Sequence, residues 1–186
     1  MEVQSAVKRE VVVEEKKGLA NTRNLILVGV MMAVGIVLRM FAGVIALGSM
    51  HPNFLIATYC LSIFIIKPNL KEAAVIGLIS GAISQIGTSM PWLALGSETL
   101  GAIAMCLLIR LVLPKYVKPV VCTFLATLVS GFTFIALAAV TYAKPMPGAQ
   151  FISMALVTVV TALLNMVIVT VLSIPVNKVM GNKEEK

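Results

Sequence analysis

The chain is poor in charge. Of its 186 residues 12% are charged and 59% hydrophobic, and the mean hydropathy is +1.01, a balance that excludes an ordinary soluble domain and indicates an integral membrane protein. Histidine and tryptophan occur once each, as His51 and Trp92. A single His without a second His or Cys at ligand spacing argues against a zinc site. The three cysteines, Cys60, Cys106 and Cys122, lie inside apolar runs without metal or redox spacing and read as reduced packing residues. No Gly-rich Lys-Ser/Thr loop is present to cradle a phosphate, no serine sits in a nucleophile-elbow pattern, and no acidic or histidine relay runs through the apolar segments. An autonomous pump and an enzyme are therefore not expected. The mixed charge of the first residues, with no short apolar core and small-residue cleavage site, does not read as a removable signal peptide.

What is present is a series of apolar runs separated by turns. Helices are expected at about Leu25 to Phe41, Pro52 to Ile66, Lys71 to Ser89, Ser97 to Leu113, Val120 to Tyr142 and Gln150 to Ile174. The second is short for a membrane span, so tilt, local thinning or the greasy segment before it must compensate. Gly29 and Ala33 form a small-xxx-small pair in the first helix, with Gly35 nearby, and Gly77 and Gly81 form another in the third; both spacings allow close helix approach. Glu72 falls in the first turn of the third helix, where the dipole favours an anion. The division is a tail over 1–23, a six-helix domain over 24–175 and a second tail over 176–186.

Basic residues orient this arrangement. With both termini cytoplasmic, all of the 15 Lys and Arg except Arg39 and Lys144 fall on the cytoplasmic side, as the positive-inside rule requires. The expected fold is thus an all-α membrane protein of six transmembrane helices with N and C termini inside. The net charge of +7 then needs no nucleic-acid partner; the bilayer accounts for it.

The remaining polar residues gather toward the outer half: Arg39, His51, Asn53, Gln85, Thr88, Trp92, Glu98, Lys144 and Gln150, with Asn165 deeper in the sixth helix. The stretch Gln85 to Glu98 holds the only Trp, and Pro91 prevents it from continuing as one helix. It reads as a turn at the membrane surface, followed by a helix capped by Ser97 with Glu98 in its first turn. This constellation suits a small polar or aromatic solute: Arg39 or Lys144 for a carboxylate, Glu98 for an ammonium, Trp92 for a ring. Each residue also has a plainer reading. Trp92 serves equally as an interfacial anchor, Arg39 as a side chain reaching for headgroups, Lys144 as a solvated loop residue, His51 as a loop or capping residue, and Gln85 and Asn165 as hydrogen-bonding links between helices. An intramembrane enzyme using His51 and Glu98, and a purely structural subunit packing through Gly29 and Ala33, are the readings from other classes.

Six helices in under 200 residues, cytoplasmic termini, a greasy first outer loop and the Gly29 and Ala33 pair resemble the substrate-binding S component of energy-coupling-factor (ECF) transporters. Within that family, Gly48-Ser-Met-His-Pro-Asn53, Gly77 to Ser84 and Thr88-Ser-Met-Pro91 are most similar to the tryptophan-transporter-type branch. The resemblance covers about Leu25 to Ile174. It implies an ECF-like bundle in the cell membrane of a prokaryote, binding tryptophan or a related aromatic molecule, or else a vitamin, near the outer face. It also implies that Gly29 and Ala33 dock on a transmembrane coupling subunit carrying two cytoplasmic ATPases. ATP would be used by those partners, and no cofactor is expected in this chain. The branch tends to carry an Asn shortly after the proline, where this chain has Ala94 and Leu95.

Overall fold

The computed structural model describes residues 18–42, 51–86, 90, 92–141 and 146–180, apart from the side chains at 177, 179 and 180. Among the described residues the protein is all-helical. After a short 3-10 turn, Gly18–Ala20, come α1 (Thr22–Ala42), α2 (Leu55–Ile66), α3 (Leu70–Ile83), α4 (Leu93–Leu108), α5 (Val117–Thr141) and α6 (Gly148–Met180). Three of these, α1, α5 and α6, are long and apolar enough to cross a membrane.

The centre of the bundle is α2. Its 12 residues are apolar on all sides, and every one except Phe64 is buried, as expected of a helix enclosed by others. It touches all five of the other helices, while α3, α4, α5 and α6 follow one another as packed neighbours. Glycines set the closest approaches. A Cβ at Gly35 would fall 2.3 Å from the Leu55 side chain and 2.6 Å from the Thr58 hydroxyl, so α1 lies on α2 through Gly35. At Gly77 and Gly81 a Cβ would meet the α4 backbone at 2.6 and 2.7 Å, which gives the small face expected of the third helix its partner.

The ends are fastened by polar groups. Asn69 and Glu72 form a reciprocal capping box at the start of α3, and Glu72 also accepts from the Leu19 N–H at 2.9 Å, tying the beginning of α1 to α3. At the opposite end of the bundle the Arg39 guanidinium donates to the carbonyls of Ser84 (2.8 Å) and Ile86 (3.3 Å). These are carbonyls that the end of a helix leaves without intrahelical donors, and α3 stops at Ile83 rather than running on to Ser89.

Two further boundaries differ from the sequence pattern. Helix α4 begins at Leu93, four residues before Ser97. The Ser97 hydroxyl is buried and turned back to the Ala94 carbonyl at 3.4 Å, so it does not cap. Leu93, Ala94 and Leu95 are strong helix formers and carry the helix through Gly96. Helix α6 continues through Pro175 to Met180, into the region expected to be a tail. The outward faces of α1, α5 and α6 are largely apolar, with Ile26, Val30, Val37, Met40, Val129, Val140, Ile152 and Val171 exposed.

Candidate functional site

Glu98 is the chemical centre of the interior. Its carboxylate is 2% exposed, one turn and a half into α4 rather than at its first turn. Two neutral side chains hold it. Asn53, just before α2, donates its amide N–H to Oε1, and Ser130 of α5 donates its hydroxyl to Oε2 at 3.3 Å. Asn53 is itself fixed from two directions: its Oδ1 accepts from the Leu55 N–H at 3.2 Å, and its carbonyl accepts from Asn165 Nδ2 of α6 at 3.1 Å. The cluster therefore joins α2, α4, α5 and α6 around one carboxylate.

Tyr59 completes it. The ring is fully buried, in the second turn of α2 and six residues beyond Asn53, and its hydroxyl is turned to Glu98 and Ser130. Gly101 makes room for it. A Cβ there would lie 2.5 Å from the Tyr59 oxygen and 2.7 Å from Ser130 Cβ. The interior gathers a carboxylate, a phenol and an amide oxygen, and a buried polar atom without a partner, as Asn165 Oδ1 is, is costly unless something meets it.

Counted at about 1.5 Å per residue from the helix ends nearest Lys67 and Arg110, Glu98 lies roughly 15 Å along α4 and Ser130 roughly 20 Å along α5 from its start. The expectation that Glu98 stands in the first turn of its helix is corrected: α4 begins at Leu93, five residues before it. Asn165, set apart in the sequence by its depth, is level with the site.

Comparison with protein-family models, with curated proteins and with solved structures found no match, so the residues themselves carry the reading.

The other sequence candidates are placed differently. Arg39 spends its donors on the end of α3 and acts on Glu98 only through space. Gln85 caps α4, accepting from the Trp92 N–H at 2.9 Å. Trp92 stands at the N-cap of α4 with φ +75°, and its side chain is 73% exposed. His51 is exposed, and Gln150 is half-buried in the first turn of α6. Thr88 and Lys144 lie outside the described residues. Gly29 and Ala33 are exposed on α1, and a Cβ at Gly29 would meet nothing within 4 Å.

Tyr59 and Ser130 were not among the candidates read from the sequence. One signal was present for each: Tyr59 is a tyrosine in the middle of an apolar run, and Ser130 adjoins Gly131 in another.

Proposed function

We propose that this protein is the membrane-embedded substrate-binding subunit of an ECF-type importer in a prokaryotic cell membrane, with six helices crossing or entering the bilayer and both termini cytoplasmic. The observation that supports it most is the buried Glu98 carboxylate, held by the neutral Asn53 and Ser130 and faced by the Tyr59 hydroxyl. An ionisable residue facing the interior of an apolar bundle marks a pathway or a ligand site. Here it suits the ammonium of an amino acid, with the Asn165 amide oxygen as a second acceptor and the Tyr59 phenol available as a donor to the ligand's polar end.

Tryptophan or a related aromatic molecule is the proposed solute; its aromatic character rests on the motif resemblance. The exposed Gly29 and Ala33 face fits the docking of a coupling subunit, since among the described residues nothing lies within 4 Å of a Cβ at Gly29. Two cytoplasmic ATPases bound to that subunit would supply the energy by hydrolysing ATP.

The test begins with the protein purified in mild detergent and mass spectrometry of whatever small molecule accompanies it. Calorimetric titration of the emptied protein then follows, with tryptophan, other aromatic amino acids and a panel of vitamins. Saturable binding of tryptophan or a relative at micromolar affinity or better is expected. Selective binding of a vitamin would reassign the substrate, and the absence of saturable binding to any of them would overturn the proposal.

A further inference from the structure

A second polar feature lies at the opposite end of the bundle from Trp92. Lys67 follows α2, Arg110 follows α4 and Lys118 stands in the first turn of α5; with Pro68 and Ile109 they line a cleft of about 270 Å³. Three separate elements bring their cations to it, and each is held by backbone geometry. Lys67 adopts the left-handed C-cap conformation (φ 46°, ψ 60°), its N–H closing on the Ile63 carbonyl, which turns the chain sharply into Pro68. The Cys106 thiol then donates to the Pro68 carbonyl at 3.3 Å, pinning that turn against α4. Arg110 Nη2 donates to the same sulfur at 3.7 Å, a contact with a thiol rather than with a carboxylate. Pro114 accepts from the N–H groups of Val117 and Lys118 at 3.0 and 2.9 Å, fixing the start of α5 beside the cleft.

No acid lines it. Glu72 and Glu98 are the acids among the described residues; Glu98 belongs to the interior site, and Glu72 is engaged by the N–H groups of Leu19 and Asn69. Three cations around a cavity without an anion make a site for an anion. Its surroundings say which kind. Between Arg110 and Lys118 the connecting loop exposes Leu111, Val112 and Tyr116, the last two almost completely. A soluble anion gains nothing from these side chains. A phospholipid uses both halves, its phosphate among the cations and its chains along the apolar loop.

We propose that the cleft of Lys67, Arg110 and Lys118 binds the phosphate of an anionic phospholipid from the cytoplasmic leaflet. Basic pockets between membrane helices on this side are suited to such headgroups. The site fixes the depth and tilt of the helix ends that form it, independently of which solute occupies the interior.

The experiment uses the full-length protein in detergent, with native mass spectrometry reading the lipid retained after incubation with phosphatidylglycerol, cardiolipin or phosphatidylcholine. Inorganic phosphate is titrated in parallel as competitor. Wild type should retain the anionic lipids over phosphatidylcholine, and millimolar phosphate should not displace them. Each cation removed should weaken retention about fivefold, so the double variant Lys67→Gln, Arg110→Gln should retain them roughly 25-fold less well. The variant Lys71→Gln, Lys178→Gln loses the same charge outside the cleft and its loop and should retain them like wild type. Equal losses in the two double variants would overturn the proposal by reducing it to net charge. Displacement by inorganic phosphate would overturn the lipid as the source of the anion. Thermal unfolding in neutral detergent confirms that both variants are folded, and solute binding by both should stay at the wild-type level, which separates this test from that of the interior site.

Discussion

Gly101 of α4 lies against the hydroxyl of Tyr59 of α2, at a position where any side chain would intrude to 2.5 Å. The phenol reaches the level of Glu98 because of this glycine. Gly101→Ala should push the ring off its position and destabilise the bundle by about 1–3 kcal/mol, the usual cost of overpacking a close contact. A lowered thermal midpoint in detergent, together with weakened solute binding, is the expected pair of results.

Glu98→Gln tests the carboxylate itself. Glutamine preserves the shape and still offers an acceptor to Asn53 or Ser130, so the fold should survive. A hydrogen bond to a charged group contributes about 1.5–3 kcal/mol, so affinity for an amine-bearing solute should fall between about tenfold and a hundredfold by calorimetry. An unchanged affinity would mean that the solute does not meet Glu98.

Arg39→Gln should act on the scaffold. The substitution removes the guanidinium donors to the Ser84 and Ile86 carbonyls and should cost about 1.5–3 kcal/mol of stability, while lowering solute affinity much less than Glu98→Gln does. The reverse order, affinity lost and stability kept, would place Arg39 in direct contact with the solute.

Gly29 and Gly35 provide a matched comparison within one helix. Gly35→Leu drives a side chain into Leu55 and Thr58 and should destabilise by about 3 kcal/mol or more. Gly29→Leu projects into open space, so the thermal midpoint and solute binding should match wild type. In cells that supply the coupling subunit and ATPases, uptake should nevertheless fail with Gly29→Leu; uptake at the wild-type rate would exclude this face from docking.

Local features of the structure were readable from the sequence because their causes are local. The number of helices followed from apolar runs punctuated by proline and turn residues, a close helix contact from the Gly77 and Gly81 spacing, and the first-turn place of Glu72 from the turn before it; the partner helix and the capping box did not. The interior site was only half visible. Asn53, Glu98 and Asn165 stood out as polar residues in apolar surroundings, yet Asn53 and Asn165 meet across 112 positions, a separation that no periodicity encodes. Tyr59 and Ser130 escaped because each fits an apolar helix without violating its pattern; only the space left by Gly101 on a third helix gives the phenol its role. Arg39 and Gln85 looked like ligand groups because they are polar and near the outer end, but the unsatisfied ends of α3 and α4 claimed them first.

The shortness of α2 has an electrical consequence. Twelve residues of helix cover about 18 Å, so on the proposed topology, with Lys67 at the inner edge of a hydrocarbon layer of about 30 Å, roughly 12 Å would separate Asn53 from the outside. A charge travelling from the exterior to Glu98 would then cross about two fifths of the transmembrane field. With about 2.3 kcal/mol per unit charge per 100 mV for the full field, this amounts to about 0.9 kcal/mol. The membrane potential of a living cell, inside negative, would therefore tighten the hold on a net cationic solute severalfold and leave a zwitterion whose two charges sit at the same depth unaffected.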